Sequence, residues 1–373
     1  MTLERVAPTF TQQWTEQGFT DLTTIQQKVM PQLSRGEDVL YTAPTGSGKT
    51  LAYLLPALEK IDISQKQMQV LILASSHELV MQIQEVIRDF TNNSDMVSQA
   101  LIGGANIKRQ IEKLKKKPHI VVGTPGRILE LIDRKKLKVH QVNTMILDEA
   151  DQLFVPEHEP TIEMIIKHTP KQKQFVMTTA TYSDVLSEKA KEFMTAPQEI
   201  TVDRHDEVLP DLAHGYIVTP SREKVDRLRQ VIRHEASQPL VFFNDIGSLN
   251  VAEEKLLYHN LTVKSLHGDV DKQKREQAIR EFRQGKLDAL LATDVAARGL
   301  DIKGLTLVIA MDVPKQVDQY LNRSGRTGRL GSDGGEVLSI LNQSERDELK
   351  KKLKSQDFIL TEYTLERGKR KQV

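Results

Sequence analysis

The sequence predicts an α/β protein built as two tandem domains, each a mostly parallel sheet flanked by helices, with a cleft between them. Three observations carry that reading. Short apolar runs alternate with longer segments of helical period along the whole chain, the signature of parallel α/β layers. A length of 373 residues exceeds one ordinary core and suits two domains of common size. Between the halves, Thr201-Val202-Asp203-Arg204-His205-Asp206-Glu207-Val208-Leu209-Pro210 is polar, has no helical stripe and ends in proline, as a linker does. The expected division is a domain over 1–202, a linker over 203–212 and a second domain over 213–373.

In chain order, the strands expected in the first half are Val39–Tyr41, Val70–Leu73, Ile120–Val122, Thr144–Leu147 and Phe175–Met177. The second half repeats the rhythm with Leu240–Phe243, Val263–Leu266, Ala289–Leu291, Thr306–Ala310 and Val337–Leu341. Ser344 to Gln356 reads as a charged amphipathic helix, and Arg367-Gly368-Lys369-Arg370-Lys371 as a basic tail, either adding nonspecific affinity for a polyanion or frayed. Lys113 and Lys115-Lys116-Lys117 read as a solvated helix face.

The bulk numbers exclude several classes. A composition of 39% hydrophobic and 28% charged residues is that of a soluble globular protein. Net charge is only +1, so a nucleic-acid surface has to be a local patch. The absence of cysteine rules out disulfides, thiolate zinc sites and cysteine nucleophiles, and fits a reducing compartment. No apolar run approaches a membrane span, and Met1-Thr2-Leu3-Glu4-Arg5 has no apolar signal core. The expectation is a cytoplasmic protein with no membrane contact.

The chemistry is organised around Ala43-Pro44-Thr45-Gly46-Ser47-Gly48-Lys49-Thr50, set between an apolar strand and a helix. This fits the phosphate-binding loop, except that Ala43 stands where the general pattern has its first glycine. Gly46 and Gly48 let successive N–H groups turn toward phosphate oxygens, and the helix offers its positive end to the same anion. Lys49 reaches the outer phosphates, and the Thr50 hydroxyl is a ligand for Mg²⁺. Farther along, Met145-Ile146-Leu147 ends in Asp148-Glu149-Ala150-Asp151. A buried strand that delivers a carboxylate beside a phosphate loop suits a nucleotide–Mg²⁺ site, with Asp148 on the metal and Glu149 orienting or deprotonating the attacking water.

On these residues the chain resembles the DEAD-box ATP-dependent RNA helicases, in a minimal form of bacterial type, and the resemblance covers nearly its whole length. It implies two RecA-like domains, with ATP, Mg²⁺ and RNA as ligands. Gly18 to Gln26 is similar to the family's adenine-reading motif, with Gln26 the amide that would read the base and Leu22 replacing the usual proline. No counterpart of the family's upstream aromatic is evident; Phe10 and Trp14 read as helix core. Ala74-Ser75-Ser76-His77 takes the place of the first RNA-contacting motif, where the family has Pro-Thr-Arg for the last three. Gly103-Gly104 and Thr124-Pro125-Gly126-Arg127 resemble two further RNA-facing motifs, with Gly104, Thr124 and Arg127 as contacts; read without the family, both are ordinary turns. Thr179-Ala180-Thr181 stands where Ser-Ala-Thr couples hydrolysis to strand separation.

In the second half, Leu240 to Asn244 and Leu266-His267-Gly268-Asp269 resemble strand-end motifs that face RNA, with Lys272 where glutamine is common and Arg275 as in the family. Ala292 to Asp301 is similar to another motif, implying Thr293 on an RNA phosphate and Asp301 on the nucleotide ribose. Arg323-Ser324-Gly325-Arg326-Thr327-Gly328-Arg329 supplies Arg326 and Arg329 as the arginine fingers, and Asn322 replaces the motif's opening histidine. The resemblance implies a monomer that hydrolyses ATP through Lys49, Glu149, Arg326 and Arg329 and grips RNA by its backbone, on ribosomal or messenger ribonucleoprotein. An ATP-gated RNA clamp with little unwinding stays open, motivated by His77, Lys272 and Asn322. A DNA helicase shares the fold but is disfavoured by the Asp148–Asp151 tetrad and the adenine motif.

Overall fold

Parallel strands covered by helices on both faces need apolar side chains in consecutive positions, and the central strands of both sheets form at such runs. The computed structural model describes residues 2–203, 206, 212–235, 237–297, 302, 304–328, 334–355, 358–366 and 368–373. The chain divides into two units, Met1–Val208 and Leu209–Val373. The expected linker over 203–212 falls at this division, and its residues 204, 205 and 207–211 lie outside the described ones.

The first unit contains β1 (Val39–Thr42), β2 (Val70–Ala74), β3 (Ser98–Leu101), β4 (Ile120–Gly123), β5 (Thr144–Asp148), β6 (Gln174–Thr179) and β7 (Gln198–Thr201). They form one parallel sheet in the order β3-β4-β2-β5-β6-β1-β7. Alternate residues of β2 enter opposite cores: Val70, Ile72 and Ala74 one, Leu71 and Leu73 the other. Phe10 and Trp14 are buried in the first of these, as expected. Because every strand runs the same way, all their C-terminal ends open on one edge, where the loops carrying the motifs emerge. The edge strands β3 and β7 are absent from the sequence expectation because their residues are largely polar and only partly covered.

The second unit contains β8 (Leu212–Val218), β9 (Leu240–Phe243), β10 (Val263–Leu266), β11 (Ala289–Thr293), β12 (Leu307–Ala310), β13 (Gly335–Leu341), β14 (Leu360–Glu366) and β15 (Lys369–Gln372). Their order is β10-β11-β9-β12-β13-β8-β14-β15, parallel except for the β14–β15 pair. Here β8 escapes a sequence reading because His214 and Gly215 interrupt its apolar run. Two expectations at the end of the chain are corrected. The amphipathic helix is shorter, Gln343–Lys352, followed by a 3-10 turn at Leu353–Ser355. The basic tail is ordered as β15 rather than frayed: Arg370 bonds Glu235 at 2.6 Å and Glu336 as well, and packs over the Tyr363 ring. That clasp supplies the partners a terminal strand otherwise lacks. Among the described residues, no helix is long and apolar enough to cross a membrane.

Candidate functional site

The phosphate-loop residues follow β1 and lead into the helix Lys49–Glu59. Gly48 caps that helix at φ 86°, and a β-carbon there would overlap the Gln26 amide, so both dihedral and space demand glycine. Lys49 Nζ donates to the carbonyls of Ala43 at 2.6 Å and Pro44 at 2.8 Å, tying the loop to its own lysine. The Tyr41 hydroxyl donates to the Lys49 carbonyl at 2.7 Å from inside the core. The Ser47 hydroxyl is fully buried and has no hydrogen-bond partner among the described residues. An orphaned buried donor at a helix N-terminus calls for an anion, and the phosphates of a nucleotide fit it. Thr45, Gly46 and Thr50 are half-buried around the same turn.

The strand β5 carries Asp148 to this edge with 4% of its surface exposed. Its Oδ2 accepts from the Tyr53 hydroxyl at 2.8 Å and its Oδ1 from the Glu149 N–H at 2.9 Å. Burial, and then the neighbouring Glu149 charge, raise the Asp148 carboxyl to about 6, against the pull of Tyr53 and Lys49. Burial likewise pushes the Tyr53 hydroxyl well up, with Asp148 adding to the effect, so it stays a proton donor. Tyr53 was not singled out in the sequence; its spacing of one helical turn from Lys49 is the signal that could have found it. Glu149 sits in the left-handed region at φ 53°, a sparsely populated conformation of the kind functional turns retain. Its Oε2 accepts from the Ser75 hydroxyl at 2.6 Å. Asp148 and Thr50 could lend oxygen ligands to a cation that keeps most of its water.

Two further motifs lock onto this edge. Thr179 donates to Asp151 Oδ1 at 2.8 Å, and accepts from the Thr181 N–H at 3.2 Å. Gln26, 1% exposed, accepts from the Thr23 N–H at 3.0 Å within a capping box and donates to the Gly48 carbonyl at 3.2 Å. These bonds make it a brace for the phosphate loop, and leave one amide hydrogen and one oxygen lone pair outside them.

The turns expected to face RNA emerge from β2, β3 and β4 at the same edge. Gly104 is exposed, and the His77 ring packs against the Gly103–Gly104 turn. Thr124 precedes the helix Pro125–Asp133 as its cap residue. Arg127 is 9% exposed: its guanidinium donates to the Ala105 carbonyl at 3.2 Å and pairs with Glu130 at 3.0 Å, so it buttresses the glycine turn from within. Lys113 and Lys115 to Lys117 are exposed, but only Lys113 lies on the helix Ile107–Leu114; the other three follow its end, so the expected helix face is a solvated helix terminus instead.

In the second unit, Thr293 closes β11 and is half-buried. Arg326 follows the helix Val317–Ser324 and is 9% exposed. Asp301 and Arg329 lie outside the described residues. The first arginine of the motif has another role. Arg323, 1% exposed, donates to Asp294 at 2.7 and 2.6 Å, to Asn244 Oδ1 at 2.6 Å and to the Asp312 carbonyl at 3.1 Å, and lies over the Phe242 ring. It gathers the ends of β9, β11 and β12 into one charge-satisfied cluster.

A phosphate loop, an acidic strand end and a threonine-bearing strand on one parallel-sheet edge, followed by a second parallel-sheet unit, define a nucleoside-triphosphatase of the helicase type. Family models agree: residues 23–188 match the DEAD/DEAH box helicase domain and residues 223–331 the helicase conserved C-terminal domain. The chain is 45% identical to the probable ATP-dependent RNA helicase YfmL of Bacillus subtilis, over 96% of this chain and 95% of that protein. It is 44% identical to the DEAD-box ATP-dependent RNA helicase CshC of Bacillus cereus, over 92% and 88%. In fold it resembles S. cerevisiae Dbp5 bound to RNA and ADP BeF3, at a TM-score of 0.86 and 24% identity over 97% and 95% of the two chains. The chain belongs to the DEAD-box family of ATP-dependent RNA helicases, enzymes that hydrolyse ATP.

Proposed function

We propose that this chain hydrolyses ATP at the edge of the first sheet and uses the cycle to grip and release single-stranded RNA by its backbone, parting short duplexes or remodelling ribonucleoprotein. The observation that supports this most is the order β4-β2-β5-β6-β1, which brings the RNA-facing turns, the acidic pair and the phosphate loop to consecutive positions of one edge. Lys49 and the loop N–H groups would hold the outer phosphates, and Gln26 would read adenine with its remaining amide capacity. Asp148 and Thr50 would hold Mg²⁺, which when bound supplies positive charge to the phosphates. Glu149 would accept the proton of the attacking water. Arg326 and Arg329 would spread positive charge over the transferring phosphoryl group, and Asp301 would meet the ribose, so turnover would need both units. Thr179 and Thr181 would transmit that closure. Gly104, Thr124 and Thr293 would contact sugar and phosphate, with Arg127 holding the glycine turn in shape. Recognition of this kind is largely independent of sequence. We also place its action in the cytoplasm, as a monomer.

The test pairs two assays. RNA should stimulate ATPase activity, and a duplex with a single-stranded overhang should be displaced in the presence of ATP. Stimulated hydrolysis without any displacement would favour the ATP-gated clamp, the reading supported by His77 against the glycine turn where the family has arginine. Absence of RNA stimulation would defeat both.

A further inference from the structure

We propose that Ser75 is a positioning residue for Glu149 that couples RNA contact at the adjoining loop to ATP hydrolysis; this rests on the role given to Glu149 above. Strands β2 and β5 are neighbours, with Ala74 opposite Asp148. One residue beyond each partner, the chain presents Ser75 and Glu149, and the serine hydroxyl donates to the carboxylate at 2.6 Å. That is a short hydrogen bond of the charge-assisted kind, stronger and more directional than one between neutral groups. Among the described residues, the Glu149 carboxylate takes no other hydrogen bond. Its backbone is held left-handed, so the serine is what orients the free end of the side chain.

The other side of Ser75 leads toward RNA. Ser76 accepts from the Leu79 N–H at 3.2 Å and caps the helix His77–Thr91. The His77 ring lies against Gly103, 3.4 Å from where a β-carbon would stand. Three consecutive residues therefore touch the water-activating carboxylate, a helix start and a glycine turn. A strand pressing on the turn or on the helix N-terminus bears on a segment whose first residue holds Glu149. The proline that the family carries here has no hydroxyl to give, so this link belongs to the serine. Coupling between two ligands is reciprocal, so the link has to appear in binding as well as in rate.

The experiment measures the affinity of a labelled single-stranded RNA by fluorescence anisotropy, with and without a non-hydrolysable ATP analogue. The ratio is the coupling factor. Ser75→Ala should shrink it by about tenfold or more, in line with loss of one hydrogen bond to a charged group, and lower RNA stimulation of kcat by a similar factor. Because the factor is a ratio of two affinities, any change in affinity for RNA alone cancels from it. Ser75→Thr, which keeps the hydroxyl, should retain the wild-type factor. A coupled wild type with an equally coupled Ser75→Ala would overturn the inference alone, as would equal losses in the alanine and threonine variants. A wild type without RNA-dependent turnover would overturn the functional reading and the inference with it.

Discussion

The two sheet edges handle charge in opposite ways. At the first, Asp148 is buried with its carboxyl raised to about 6, Glu149 sits in a left-handed turn, and Ser47 has a buried hydroxyl with no partner among the described residues. At the second, Arg323 is more deeply buried yet has Asp294, Asn244 and the Asp312 carbonyl as acceptors. One edge keeps electrostatic demand unmet, as a site for a polyanion and a cation must. The other satisfies its charge internally and becomes a rigid mount for the loop that carries Arg326. Sequence motifs of equal prominence thus divide into chemistry and scaffolding according to whether their charges already have partners.

Removing the proposed finger should have the largest effect. Arg326→Ala should lower RNA-stimulated kcat by roughly 10³-fold or more, read in a steady-state phosphate-release assay. Glu149→Gln should cost roughly 10²–10⁴ in the same assay while fluorescent nucleotide and RNA still bind. Unchanged turnover in either variant would remove the contrast between the two edges. Arg323→Ala, by comparison, should act on stability: leaving Asp294 without its buried cation should cost about 3–5 kcal/mol in denaturant unfolding of the second unit. If Arg323→Ala folds normally but fails in turnover, the second edge is chemical as well.

The strain at Asp148 can be read from pH. Its carboxyl lies at about 6 in the folded chain against an ordinary 3.8, so between those values the folded state holds a proton that the unfolded state has released. The stabilising contribution is therefore full below about 4 and is lost as pH rises through about 6, on the order of 3 kcal/mol in all. Unfolding in chelator at pH 4.5 and 7.5 should show the wild type losing ground relative to Asp148→Asn by about 2 kcal/mol of that, since pH 4.5 already lies within the window. The comparison of slopes cancels the hydrogen bond that asparagine cannot accept. The smallest effect should come from Tyr53→Phe, which removes one donor to the same carboxylate: about 1–2 kcal/mol of stability and a several-fold rise in the Mg²⁺ concentration for half-maximal turnover. An unchanged Mg²⁺ midpoint would show that the hydroxyl is packing only.

Much of this was legible residue by residue. The ten expected strands all form, most of them at apolar runs, as strands buried on both faces require. Those that were missed are polar, interrupted by His214 and Gly215, or pinned by distant partners, as β15 is by Glu235 and Glu336. Within the site, the glycines and lysine of the phosphate loop carry their chemistry locally, whereas Arg127 reads as a surface contact and stands as an internal prop. No pattern within its own helix announces that its acceptor is the Ala105 carbonyl.

What the chain determined by itself was where each strand stops and which chemical groups follow it, since apolar length, glycine and charge act over a few neighbouring residues. Which of those groups meet was decided only by tertiary structure. Strand order departs from chain order, and hydrogen bonds reach only about 3 Å. Ser75 therefore finds Glu149, and Tyr53 finds Asp148, through the lateral order of the sheet and the seating of one helix upon it.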